Sequence, residues 1–198
     1  DVTERNRNER EIEHLAFYDI LTALPNRRLL LDRLSQAIIA NKRSDRHGAV
    51  IFLDLDNFKS LNDTHGHGVG DLLLVEVAHR LKGCVRQIDT VSRFGGDEFV
   101  VLTGSANPDY AAQLAQKILA QLRVPIQISN EQLSITGSLG IAVFPDNGAD
   151  GQQLMRAADM AMYTAKAEGR NRYHFYSDDM SARANERMYI EQGLRRAM

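Results

Sequence analysis

Thr90-Val-Ser-Arg-Phe94 and Glu98-Phe-Val-Val-Leu102 are strand-like runs separated only by Gly95-Gly96-Asp97. So short a connection leaves no room for a crossover helix, so the two runs must pair as a tight antiparallel hairpin. A chain that contains this hairpin cannot fold around an all-parallel sheet. Ala49-Val-Ile-Phe-Leu-Asp-Leu-Asp56 supplies another strand, and its uncharged interior predicts a central position covered on both faces. Helical periodicity alternates with these runs. It predicts one helix from about Arg27, with Leu30, Leu34, Ala37, Ile38 and Ala40 on its apolar face and an end near Asn41–Gly48. Further helices are expected through Leu74, Val77, Ala78 and Leu81, over Pro108–Leu122, and over Gly151–Glu168, closed by Gly169. Val124–Ile128 and Leu133–Phe144 predict strands, the second bulged at Gly137 or Gly140, and Arg172–Tyr176 predicts a last edge strand. His65-Gly-His-Gly-Val-Gly-Asp71 reads as a glycine-rich loop whose last residue, Asp71, opens and caps the following helix. The expected fold class is α+β, a mainly antiparallel central sheet flanked by helices.

The 198 residues, 43% of them hydrophobic, suffice for one packed domain with short flanks. Lys+Arg 24 against Asp+Glu 26 gives a net charge of −2, which argues against a nucleic-acid channel and a polybasic membrane patch. The single cysteine, Cys84, excludes an internal disulfide and a multi-cysteine zinc module, and a reduced thiol suits the cytoplasm. No apolar run approaches the roughly 18–20 residues of a membrane span. The opening DVTERNRNER is neither Met-initiated nor signal-like, so the chain reads as a piece of a longer protein.

Acidic residues cluster where these strands end. Asp54 and Asp56 lie two apart, so on a regular strand they project to one side, and Asp97 and Glu98 sit at the hairpin tip. A carboxylate at the end of a buried strand is costly unless a cation offsets it, and clustered hard oxygens suit Mg²⁺ or Mn²⁺. The glycines at 66, 68 and 70 do not satisfy G-x-G-x-x-G, and His65-Gly-His67 lacks the further ligands of a zinc site.

Ser92-Arg-Phe-Gly-Gly-Asp-Glu-Phe99 resembles the defining motif of the GGDEF family, the diguanylate cyclases. The resemblance extends from about Leu15 to Tyr176. It takes in Asp19-Ile-Leu-Thr-Ala-Leu-Pro-Asn-Arg-Arg28, Asp54-Leu-Asp-Asn-Phe-Lys-Ser-Leu-Asn62, Gly66-His67…Gly70-Asp71 and Ala158-Asp159…Ala165-Lys166…Gly169-Arg170-Asn171, in the family's order. Ala23 departs from it, standing where many relatives carry Gly.

The resemblance implies a ferredoxin-like palm similar to that of nucleotidyl cyclases, and a homodimer that joins two GTP into cyclic di-GMP with release of two pyrophosphates. It implies that Asp54, Asp97, Glu98 and the carbonyl of Leu55 hold Mg²⁺ or Mn²⁺, two ions per GTP-bound half-site. Either Asp97 or Glu98 would be the base. Asn62 and Asp71 would read guanine, with His67 beside the nucleotide. Lys59, Lys166 and Arg170 would grip the triphosphate; by spacing alone, Lys166 and Arg170 complement the dipole at a helix end. Arg86-Gln-Ile-Asp89 resembles the family's RxxD site, at which the product inhibits; by spacing alone it is a surface ion pair.

Residues 1–18 resemble a signalling helix leaving a PAS sensor, 19–176 the GGDEF domain, and 177–198 a connector to an EAL phosphodiesterase domain. Two other readings share the motif. One is a GTP-binding domain that makes no product and controls an attached phosphodiesterase, and the other a cyclic di-GMP receptor acting through Arg86 and Asp89. No nucleic-acid partner and no direct membrane contact are expected.

Overall fold

The computed structural model describes residues 15–128, 130–178 and 180. Most of the expected N-terminal signalling helix and most of the C-terminal connector lie outside them. Helix α1 (Arg27–Ser44) starts where the Asn26 side chain accepts from the N–H groups of Arg28 and Leu29, and it buries Leu30 and Leu34. All eight residues of β1 (Gly48–Leu55) are buried, as a strand covered on both faces must be. Two helices follow, α2 (Phe58–His65) and α3 (His67–Cys84), then the hairpin β2 (Thr90–Gly95) and β3 (Glu98–Thr103) and helix α4 (Pro108–Arg123). The chain continues through β4 (Ile126–Ile128), β5 (Glu131–Leu133), β6 (Gly137–Phe144), α5 (Gly151–Ala167) and β7 (Tyr173–Phe175).

The main sheet has the order β2-β3-β1-β6-β7. β1 pairs antiparallel with β3 and with β6, and only the edge strand β7 runs parallel to its neighbour. Setting aside the small β4–β5 hairpin and β7, the β1–α–β2–β3–α4–β6 order reproduces the ferredoxin-like palm, so the expected α+β class holds. Alternation along β1 divides the core. Ala49, Ile51, Leu53 and Leu55 pack with α3 and α4, whereas Val50 and Phe52 pack with α1 and α5. Among the described residues, no helix is long and apolar enough to cross a membrane.

Three expectations change. Leu133–Phe144 is not one bulged strand: its start pairs with β4 in a separate two-stranded sheet, and β6 pairs with β1 without a register shift from Gly137 to Phe144. The irregularity falls instead in β2, between Arg93 and Gly95. The glycine-rich stretch is mostly helix. Gly66, at φ 86, turns the chain straight from α2 into α3, so Asp71 lies inside α3 and caps nothing. Ala23, at φ 54, holds a left-handed conformation that costs an L-residue about 1–2 kcal/mol, which is a physical reason for glycine at that position.

Candidate active site

The alternation that sorts the core also aims the acids. Asp54 shares the face of Val50 and Phe52, and Glu98, directly opposite it in the register, shares the face of Val100 and Leu102. Both therefore face α5. The hairpin tip is fastened to the end of β1 by the Leu55 N–H, which donates to the Asp97 carbonyl at 3.3 Å. From α5, Lys166 Nζ reaches Asp54 Oδ2 at 2.8 Å.

This corner holds more negative charge than one lysine can offset. Burial pushes the Asp54 carboxyl above its usual value, and Asp97 and Asp56 add to the shift while Lys166 opposes it. Burial likewise raises Glu98, reinforced by Asp54, Asp159 and Asp97. Asp159 is exposed as a residue, but its carboxyl lies against the protein, and that desolvation raises it against the pull of Lys166. Asp159 is a residue of this corner that the motif Ala158-Asp159…Ala165-Lys166 does not single out. The signal was its spacing, seven residues before Lys166 and so on the same helical face.

The expected pairing of Asp54 with Asp56 does not survive as a shared ligand set. Asp56 lies beyond the end of β1 and is 4% exposed, and its carboxylate accepts from Thr136 Oγ1 (2.7 Å), Ser138 Oγ (2.7 Å) and the Asn171 N–H (3.1 Å). It is a latch rather than a free donor. It ties β1 to the turn after α5, where Arg170 and Asn171 adopt positive φ and where Arg123 Nε donates to Asn171 Oδ1 at 3.0 Å. Arg170 is exposed on that turn.

The hard oxygen donors and unbalanced charge of Asp54, Asp97 and Glu98 fit a divalent cation, and the Lys166 ammonium already sits where positive charge is wanted. Among the described residues, no three acidic, histidine or cysteine groups are gathered closely enough to hold an ion without adjustment. A carboxyl whose folded pKa is raised stabilises the fold at low pH and loses that contribution as pH rises through the folded value. A cation that restores the balance should therefore stabilise most at neutral pH. Mn²⁺ at a hundredfold excess over Kd is expected to add about 2.7 kcal/mol at pH 7.5, with a clearly smaller rise in Tm at pH 5. Equal shifts at both pH values, or none, would remove the assignment.

At the α2–α3 corner, Asn62 Oδ1 is buried and has no hydrogen-bond partner among the described residues. It lies against Gly70, where a Cβ would come within 1.8 Å of that oxygen, so the absent side chain makes the seat for the Asn62 amide. Asp71 follows Gly70 on α3, while Lys59 and His67 are exposed. His65 pairs with Glu131 at 2.9 Å.

The N-terminal motif braces the hairpin. Arg93 Nη1 lies 3.1 and 3.2 Å from the two Asp19 carboxylate oxygens, while its Nε and Nη2 donate to the Gly96 carbonyl at 3.0 and 2.8 Å. Burial opposes ionisation of Asp19, but the Thr22 hydrogen bonds and the Arg93 guanidinium hold its carboxyl below the usual value. Arg86 and Asp89 lie at the opposite end of β2. A strand of six residues spans about 20 Å, so they are remote from Asp97.

A family model described as "Diguanylate cyclase, GGDEF domain" matches residues 16–172. The chain is 49% identical over 192 residues to the bifunctional diguanylate cyclase/cyclic di-GMP phosphodiesterase MucR of Pseudomonas aeruginosa, covering 97% of this chain and 28% of that protein. The chain spans only 25–30% of the length of such curated relatives. The GGDEF domain of TpbB (YfiN) from the same species superimposes with a TM-score of 0.83 at 37% identity, covering 85% of this chain and 99% of that one. The coiled coil and GGDEF domain of DgcB from Caulobacter crescentus, solved in complex with c-di-GMP, gives a TM-score of 0.79 at 27% identity, covering 88% of this chain and 93% of that one.

Proposed function

Since the chain belongs to the GGDEF domain family, we propose that it is a diguanylate cyclase that condenses two GTP into cyclic di-GMP across a homodimer, with product inhibition at the RxxD turn. The observation that carries this reading is the convergence of Asp54, Asp97, Glu98 and Lys166 at one end of the sheet. In each half-reaction a 3′-hydroxyl attacks the α-phosphorus of the GTP held by the facing domain. The new P–O bond forms as the bond to the β-phosphate bridging oxygen breaks, and pyrophosphate leaves. The hydroxyl proton passes to a carboxylate at the hairpin tip, Asp97 or Glu98. Mg²⁺ or Mn²⁺ held by Asp54, Asp97, Glu98 and the Leu55 carbonyl would supply charge stabilisation to the phosphoryl oxygens. Lys166 would trade its carboxylate for triphosphate oxygens, with Arg170 and Lys59 beside it.

The buried Asn62 oxygen without a partner supports a guanine pocket at the α2–α3 corner. Asn62 would there present both a donor and an acceptor, and Asp71 would accept from the guanine N1–H and N2–H₂ groups. Adenine lacks that donor pair and would leave Asp71 unsatisfied. The decisive experiment incubates the chain with GTP and Mg²⁺ and resolves the nucleotides by chromatography and mass. Cyclic di-GMP whose rate per molecule rises steeply with protein concentration is expected. GTP bound but unconverted, even by a forcibly dimerised chain, would overturn the cyclase reading. It would favour a regulatory domain serving a phosphodiesterase, an activity joined to a GGDEF domain in the bifunctional relative MucR.

A further inference from the structure

The RxxD turn is held from outside by a residue 21 positions away in sequence. The Arg86 guanidinium lies 3.9 Å over the ring of Tyr110, in the first turn of α4, and the Tyr110 hydroxyl donates to Asp89 Oδ2 at 3.3 Å. The same Asp89 oxygen accepts the Arg86 N–H at 3.0 Å, and the Asp89 N–H donates to the Arg86 carbonyl at 3.0 Å. The other carboxylate oxygen, Asp89 Oδ1, is buried and has no hydrogen-bond partner among the described residues. Arg86 stands between two open clefts of about 400 and 430 Å³. One is also lined by Arg46 and His47, and the other by Arg33 and Lys82.

We infer that Tyr110 is the positioning residue of the inhibitory site, its ring fixing the Arg86 guanidinium beside Asp89 so that a guanine nucleotide with anionic phosphates meets both groups already oriented. This rests on the RxxD reading given above. An exposed arginine samples many rotamers, and binding that must first freeze it is weakened. A face-on aromatic ring removes that freedom before the ligand arrives. The planar guanidinium is then left with its edge for bidentate contact, the vacant Asp89 oxygen can accept from a guanine edge, and the cationic clefts on either side suit the phosphates.

The test is calorimetric titration of the chain with cyclic di-GMP, comparing wild type with Tyr110→Phe, Tyr110→Leu and Arg86→Ala. Leucine keeps the apolar packing that Tyr110 makes against the core but has no π face, so a merely structural role would survive it. Tyr110→Leu is expected to weaken binding about tenfold, and Tyr110→Phe by threefold or less, because the ring is kept and the lost hydroxyl contact is long. Arg86→Ala should abolish measurable binding. If Tyr110→Leu binds like wild type, or Tyr110→Phe falls as far as Tyr110→Leu, the positioning role is overturned while the RxxD site stands. If Arg86→Ala binds like wild type, or the wild-type chain does not bind, the RxxD reading fails and this inference with it.

Discussion

Asp97→Ala is expected to abolish cyclic di-GMP synthesis, by at least about a thousandfold, in a protein that still melts cooperatively near the wild-type temperature. The bond that fastens the hairpin tip to β1 uses the Asp97 main-chain carbonyl, which alanine keeps. The brace from Asp19 through Arg93 ends on the Gly96 carbonyl and is untouched. Only the carboxylate is lost. Without it, Asp54 and Glu98 lose a neighbour that repels them, so the cation-free fold should not suffer. What disappears is a hard oxygen donor and a candidate proton acceptor, at the point where the reacting hydroxyl and phosphate would meet. Product would be measured by chromatography and folding by a thermal melt. Turnover within tenfold of wild type would sink the assignment of Asp97 to the reacting centre. Lost turnover with a collapsed melt would assign it a role in the fold instead.

Strand runs and the hairpin were readable, the glycine-rich helix start was not, and most contacts between distant segments left no signal. β1 was legible because eight uncharged or terminal-acid residues admit only a buried strand, and the hairpin because two glycines and Asp97 fix its turn. Asp71 was misplaced because glycines usually mark loops. Gly68 and Gly70 sit within a helix here, where Gly70 serves packing against Asn62. Asp56 looked like a metal donor from its spacing to Asp54, but its partners Thr136, Ser138 and Asn171 come from segments 80 and more residues away. Tyr110 left no signal at all, because its contact to Arg86 exists only once α4 packs beside α3. Asp159 had a signal in its helical spacing to Lys166, but the spacing alone did not say what lay opposite.

The second large effect concerns how α5 is brought to the sheet. At Gly140, in the middle of β6, a Cβ would lie 1.9 Å from the Ala158 carbonyl oxygen and 2.2 Å from the Met162 nitrogen. Both are main-chain atoms of α5, so no side-chain rotamer can relieve the clash. The helix meets the strand through Ala158, Ala161 and Ala165, all fully buried, and that close approach carries Lys166 to Asp54 and Asp159 towards Glu98. Gly140→Ala must therefore push the helix outward or bend the strand. A cost at the top of the overpacking range, about 3 kcal/mol or more, is expected, with Tm lower by roughly 10 °C for a domain of this size. Gly83→Ala, in α3, provides the contrast. Among the described residues beyond its own helical turn, nothing lies within 4 Å of its Cβ position, so the same substitution should stabilise by about 0.5–1 kcal/mol through helix propensity alone. Melts of the two variants test the sign and the size together, and a Gly140→Ala protein as stable as wild type would mean that α5 is not seated as described. Below its melting temperature, the variant should also show weakened GTP turnover with its acidic residues intact, because Lys166 reaches the site only as far as the Gly140 contact lets α5 approach.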